Sequence, residues 1–248
     1  MFQINDKISR NILVSSDHGL MCVNRFDYDA NNVGSGQSIL QHGNSCTIEA
    51  SACIETIKNV ESPVIFDIGA NIGTFTTWVA RYFNNGKIYC FEPQRLVFQI
   101  LCANLAINNL HNAYTYNIAL GDTNSRIKIL EPDYNIPADF GTFSLVKNTI
   151  LNKNAELIID MYTLDDFAKM YEIQKVDFIK IDTEGMDLSV LRGSVNLIKE
   201  YRPSILIEFF DNNDNIQIEI ENFLSTYGYK FRYLNNNILA LPELIKND

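Results

Sequence analysis

The stretch Val64-Ile-Phe-Asp-Ile-Gly-Ala-Asn-Ile-Gly-Thr74 restricts what this chain can fold into more than any other. Val64 to Phe66 is a short apolar run, as a strand buried on both faces requires. Asp67 follows it, then the Gly69-Ala-Asn-Ile-Gly73 turn. Beyond the turn Phe75, Trp78, Val79, Tyr82 and Phe83 fall on one helical face. Gly69 and Gly73 suit a backbone that turns sharply and approaches a ligand closely. Asn71 tolerates the left-handed geometry of such a loop. The next apolar run, Ile88–Phe91, is closed by Glu92, where a carboxylate can take both hydroxyls of a ribose. Strand, glycine loop, helix and a second strand ending in an acid make a nucleoside-binding half-unit.

The loop separates two cofactor classes. A dinucleotide site uses G-x-G-x-x-G and sets a pyrophosphate against backbone N–H groups. The matching positions here carry Gly69, Asn71 and Thr74, so the second and third glycines are missing. S-adenosylmethionine has no phosphate and carries an α-ammonium group, which the acid Asp67 at the loop entry suits. These residues point to a methyltransferase that uses S-adenosylmethionine, with a NAD-dependent oxidoreductase as the rival.

Composition narrows the partners. A net charge of −10 argues against a sequence-independent grip on nucleic acid, which needs clustered Lys and Arg. It equally disfavours an anionic membrane surface. No apolar run reaches the length of a membrane span, and the first residues lack a basic segment followed by an apolar one. The five cysteines show no C-x-x-C spacing, so neither a disulfide framework nor a zinc site is expected. A reduced, cytoplasmic protein is the expectation. Asparagine occurs 29 times, so any single Asn is weak evidence for function.

Along the chain, a hairpin is expected over Ile8–Ser15 and Leu20–Asn24, then an irregular stretch from Asp27 to Asn44, then a helix over 47–58. Residues 1–60 are expected to form an N-terminal cap, and 61–248 the cofactor-binding domain. From residue 64 strands and helices alternate, the signature of a doubly wound sheet. Further strands are expected at Tyr114–Leu120, Val176–Ile181 and Ser204–Phe209. The helix after Asp182-Thr-Glu-Gly185 carries Leu188, Leu191, Val195 and Ile198. Residues 123–165 interrupt the alternation with strands at Ile127–Leu130 and Leu157–Ile159 and a loop over the site. Thr142 and Ser144 in that loop are candidate acceptor contacts. Asp165 or Asp166 is expected to cap the next helix. A terminal hairpin, Lys230–Leu234 and Ile238–Leu241, turns at Asn235-Asn-Asn237.

Ligands in open α/β sheets sit beyond the carboxyl ends of the strands, at the topological switch point. With strands 64–67 and 176–182 as central neighbours, the glycine loop and Asp182 face each other there. Lys180 and Asp182 point to one side of their strand. Two roles are open to them: an ion pair that shapes the strand end, or a base, Asp182, tuned by Lys180. Glu184 is a further candidate base. Glu208 either contacts the acceptor or is a solvated strand-end carboxylate. His42 has a suitable unperturbed pKa for a base, though a lone loop histidine is often only exposed. Glu49 is either a helix-dipole residue or a partner for the cofactor's ammonium. Asp182 with Asp211 and Asn212 imitates the magnesium ligands of catechol-type methyltransferases. Gly185 stands where those enzymes place a lysine, and no metal is expected.

Four blocks in order, Val64–Gly73, Cys90-Phe-Glu-Pro93, Asn117-Ile-Ala-Leu-Gly-Asp122 and Phe178-Ile-Lys-Ile-Asp-Thr-Glu-Gly185 with Val190-Leu-Arg-Gly193, resemble the FkbM family of class I, S-adenosylmethionine-dependent methyltransferases. The resemblance implies O-methylation, commonly of a sugar hydroxyl in a polysaccharide or glycolipid, or of a secondary-metabolite hydroxyl. It places Asp67, Gly69, Asn71, Gly73 and Glu92 on cofactor positions and Asn117 and Ala119 beside the adenine. Two departures stand out: Asp187 replaces the usual Glu, and the segment before Val64 is poorly matched. The expected fold is a seven-stranded, mainly parallel doubly wound sheet. A catalytically silent cofactor-binding partner remains the alternative from another class.

Overall fold

The computed structural model describes residues 9–31, 34–142, 156–208 and 214–243. In chain order the elements are β1 (Asn11–Ser16), β2 (Gly19–Asn24), α1 (Ser35–His42), α2 (Thr47–Ile57), β3 (Val64–Ile68), α3 (Thr74–Tyr82), β4 (Lys87–Phe91), α4 (Arg95–Ile107), β5 (Ala113–Tyr116) and β6 (Ala119–Leu120). There follow β7 (Ser125–Leu130), β8 (Glu156–Tyr162), α5 (Leu164–Met170), β9 (Phe178–Ile181), α6 (Asp187–Arg192), α7 (Val195–Tyr201), β10 (Ser204–Glu208), α8 (Asp214–Ser225), β11 (Tyr229–Leu234) and β12 (Asn237–Pro242).

The main sheet has seven strands in the order β11-β12-β10-β9-β3-β4-β5. β12 slots between β10 and β11 and runs antiparallel to both, while β10, β9, β3, β4 and β5 pair in parallel. Every residue of β3 is buried, because helices cover both faces of the sheet. Side chains alternate, so Val64, Phe66 and Ile68 join one apolar cluster with Leu164, Phe167 and Leu224. Ile65 joins the other, with Cys53, Phe75, Val79 and Leu101. Phe66 stands edge-on to Tyr89, Phe91 and Phe167. Burying one such ring contributes about 1.5–3 kcal/mol.

Several expected elements fall differently. The irregular stretch before residue 44 contains α1, which ends at Gly43 in left-handed geometry. The strand expected over 114–120 is split. β5 stays in the main sheet, while β6 leaves it to pair with β8 in a three-stranded sheet of order β6-β8-β7. The helix expected after Gly185 breaks into α6 and α7. Gly193 packs so closely on the Gly121 carbonyl that a Cβ there would fall 2.0 Å from the oxygen. Thr163, not Asp165 or Asp166, caps α5, accepting a hydrogen bond from Asp166 N. Asp165 instead accepts the N–H groups of Asn196 and Leu197 in the first turn of α7.

The β1–β2 hairpin is joined to the cofactor half. Met21 and Val23 share an apolar cluster with Ile39, Ile72, Val97 and Phe140. Asn104, fully buried on α4, accepts a hydrogen bond from Cys22 N and donates to the carbonyls of Cys22 and Ile72.

Candidate active site

A cavity of about 500 Å³ opens where the loops after β3, β4 and β9 meet the end of β10 at Glu208. α1 and the Asp139–Thr142 segment close it from the N-terminal and insertion sides. It lies at the reversal of strand order between β3 and β9, where doubly wound sheets bind ligands.

Glu92 follows β4 and is 3% exposed. Its Oε2 accepts Asn71 N at 3.0 Å and its Oε1 accepts Gln94 N at 2.8 Å. The carboxylate is thereby fixed by the glycine loop, and each oxygen keeps a lone pair for a ligand hydroxyl. Burial pushes its pKa up to about 7, with the two N–H groups pulling the other way. Gly69 and Asn71 both line the cavity with positive φ, 78° and 48°. Ile118, Ala119 and Leu120, at the crossing from β5 to β6, give an apolar stretch of wall.

At the opposite wall Lys180 is 3% exposed. Its Nζ donates to Asp182 Oδ2 at 2.8 Å and lies 3.8 Å from Asp67 Oδ1. Burial opposes its charge, but Asp182 and Asp67 overcome this and hold its pKa above the ordinary lysine value. Asp182 begins a group of carboxylates with Glu184, Glu208, Asp139 and Glu49, all on the cavity wall. Burial, then Asp182, Glu208, Asp139 and Asp187, push Glu184 up to about 9. Burial and Asp182 push Glu208 up to about 8, against the pull of Lys180.

Most of the residues singled out in the sequence converge here. Gly69, Asn71, Glu92, Ala119, Glu49, Lys180, Asp182, Glu184, Glu208, His42 and Thr142 all line the cavity. Three others do not. Asp67 is 0% exposed; its Oδ2 accepts a hydrogen bond from Thr76 at 2.5 Å and its Oδ1 lies 3.8 Å from the Lys180 ammonium. An alternating strand puts residue 67 on the face covered by α2 and α3, which the apolar spacing alone did not reveal. Gly73 begins α3, and a Cβ there would meet Leu101 on α4 at 2.7 Å. Asn117 donates to the carbonyls of Glu92 and Pro93, pinning the backbone that carries Glu92. Ser144, Asp211 and Asn212 lie outside the described residues.

The sequence reading missed Ser35, Ser38 and Gln41 of α1, which line the cavity, and Asp139. Ser35 Oγ accepts a hydrogen bond from Asn71 Nδ2 at 3.0 Å, tying α1 to the glycine loop. Gly43 was the available signal, since a glycine after a polar run marks a helix end.

The residues fit S-adenosylmethionine. Glu92 offers two fixed acceptors for a ribose, Ile118–Leu120 offer an apolar wall, and the remaining wall is acidic enough for a ligand with sulfonium and ammonium charges.

Residues 67–231, well over half of the chain, match the Methyltransferase FkbM domain family. The chain is 23% identical over 202 residues to Methyltransferase sdnD of Sordaria araneosa, covering 71% of this chain and 77% of that protein. It is 22% identical over 183 residues to Methyltransferase 1 of Beauveria bassiana, covering 68% of each. In fold it is similar to the crystal structure of Methyltransferase FkbM from Methylobacillus flagellatus, with a TM-score of 0.52 and 19% identity. That match covers 73% of this chain and spans 43% of the other. The chain belongs to the FkbM family and is an S-adenosylmethionine-dependent methyltransferase.

Proposed function

We propose that the chain transfers a methyl group to a hydroxyl of a sugar in a glycan or glycolipid. The observation that carries this is the polarity of the acceptor side of the cavity. α1 and the 139–142 segment present Ser38, Gln41, His42 and Thr142, the loop after β9 presents Glu184, and the end of β10 presents Glu208. Among the described lining residues Phe91 is the single Phe, Tyr or Trp. Such polar groups can hydrogen-bond the hydroxyls of a polyol.

S-adenosylmethionine supplies an electrophilic methyl group. Glu92 would take the ribose hydroxyls, Gly69 and Asn71 would let the backbone approach, and Ala119 with its neighbours would pack the adenine. Glu49 is placed to meet the ammonium, although its Oε1 already accepts a hydrogen bond from Asn237 Nδ2 at 3.1 Å. Asp67 acts at one remove, by holding Lys180. The acceptor is aligned by α1 and Thr142, which supplies much of the rate advantage of an in-line transfer.

Two measurements test this reading. Calorimetry with S-adenosylmethionine and with NAD should show binding of the first alone. Methyl-labelled donor, offered with methyl hexosides and with simple phenols, should label hexosides. Label on phenols alone would sink the sugar assignment, and binding of NAD alone would sink the donor.

A further inference from the structure

We propose that Glu208, rather than Asp182, accepts the proton of the acceptor hydroxyl. This rests on the methyl-transfer reading above and deepens it by assigning the base.

The argument begins with how the sheet register uses each carboxylate. Ile207 pairs with Ile181, so Glu208 and Asp182 leave neighbouring parallel strands side by side at the cavity. Asp182 is committed: its Oδ2 takes the Lys180 ammonium at 2.8 Å, and its backbone N–H donates to Ile68 O at 3.0 Å. A proton on that oxygen would displace the buried Lys180 ammonium from its nearest counter-charge. Glu208 makes no ion pair within 4.0 Å among the described residues. The charged groups that face it are Asp182 and Lys180 from β9, Glu184 from the loop after β9, and Glu49 from α2; the neutral Asn237 lies opposite it on β12. Three acids against one already paired lysine favour the protonated form, as the upward pKa shift records. A side chain with a pKa near 8 is matched to accepting a hydroxyl proton near neutral pH. Asp182 then serves as a positioning residue, sharing a hydrogen bond with Glu208.

In the step, the acceptor O–H bond breaks and the proton passes to a Glu208 carboxylate oxygen. The freed oxygen pair forms the bond to the methyl carbon. The electron pair of the old carbon–sulfur bond stays on the donor sulfur, which becomes a neutral thioether.

The experiment uses the full chain with Glu208→Gln, Glu208→Asp and Glu184→Gln variants. With labelled donor and a methyl hexoside, Glu208→Gln should lower kcat by about 10²–10⁴-fold. Donor affinity should stay within about three-fold, and Glu208→Asp should recover part of kcat. The wild-type rate should rise with pH to a plateau above about 8. A second readout needs no acceptor: infrared difference titration of the wild type should show a carboxyl deprotonating near that pH, and Glu208→Gln should remove it. An unchanged infrared titration in Glu208→Gln overturns the assignment. So does a rate loss confined to Glu184→Gln. Failure to bind the donor at all would strike the methyl-transfer reading instead, leaving the infrared result to decide on Glu208.

Discussion

Gly69 and Asp182 touch across the switch point so tightly that no side chain fits between them. A Cβ on Gly69 would fall 1.8 Å from the Asp182 carbonyl oxygen, and Gly69 has a φ of 78°. The contact excludes any residue with a side chain, and the positive φ adds strain for most of them. Gly69→Ala should therefore lose about 2–4 kcal/mol, combining left-handed strain with overpacking against backbone. Denaturant unfolding and donor calorimetry should both register the change. A stable Gly69→Ala variant with normal donor affinity would show that the two strand ends separate easily.

This contact also marks what the sequence could convey. The β3–loop–α3–β4 unit and the pairing of β3 with β9 were legible because burial, glycine placement and acids at strand ends all agreed there. The split between β5 and β6 was not, since Tyr114–Leu120 keeps a strand pattern while its partner changes from β4 to β8. The break at Gly193 was hidden likewise, because Leu188, Leu191, Val195 and Ile198 keep helical spacing across it. Of the site, the carboxylates could be named but not their partners. That Asp67 is buried beside Lys180 depends on which helix covers its side of the sheet.

Glu92 should control donor binding in a pH-dependent way. Its carboxylate accepts hydroxyls with both oxygens, and with charge assistance, only when ionised, and its pKa in the free protein is raised to about 7. Donor affinity should weaken as pH falls through that value. Glu92→Ala should remove about 1.5–3 kcal/mol, a loss of roughly ten-fold or more in affinity. Calorimetry from pH 6 to 8.5 on both proteins reads this. A flat profile in the wild type would move the ribose contact elsewhere.

Lys180 should matter more to stability than either of its partners. Lys180→Met leaves Asp67, fully buried, and Asp182 facing each other without a counter-charge, a loss of about 3–5 kcal/mol. Asp182→Asn should lose less, because Lys180 keeps Asp67 at 3.8 Å. With the Lys180 ammonium 2.8 Å from Asp182, that carboxylate is a poor ligand for a divalent cation. Methyl transfer should accordingly survive EDTA. Urea unfolding of the two variants gives the ranking, and restoration of EDTA-treated enzyme by magnesium would reverse the metal prediction.

Asp27 should act as the clasp of the acceptor side. Its carboxylate accepts Gly36 N from α1 at 2.6 Å and Phe140 N from the insertion at 2.9 Å, and both segments lead into the cavity wall. Burial, with a smaller push from Asp139, raises its pKa from 3.8 to about 6. The folded state thus binds this proton more tightly than the unfolded one, so acidification through pH 6 should not unfold the protein through this group. It should instead weaken the clasp. Asp27→Asn should speed hydrogen exchange at Gly36 and Phe140 at neutral pH while leaving donor affinity within about three-fold. Unchanged exchange at both amides would show that the segments are held by other contacts.

His18 should set the acid limit of the fold. It sits in the β1–β2 turn, fully buried against Trp78, and its Nε2 accepts Ser45 N at 3.1 Å. Nδ1 must then carry the proton and donate to Thr77 Oγ1 at 2.7 Å. The neutral ring is required, since a second proton would point at the Ser45 N–H. Burial, followed by the nearby Arg81, lowers its pKa from 6.5 to about 4. The unfolded chain therefore takes up this proton first as pH falls. The stabilisation is complete above pH 6.5 and is lost progressively from 6.5 towards 4, by about 1–3 kcal/mol. His18→Gln, which keeps a donor and an acceptor but does not titrate, should be less stable than the wild type at pH 8 and should flatten the decline between pH 6.5 and 4.5. Thermal unfolding of both proteins across that range is the measurement. If the two lose stability in parallel, the acid sensitivity belongs to another group, and the docking of the hairpin on α3 does not depend on a neutral imidazole.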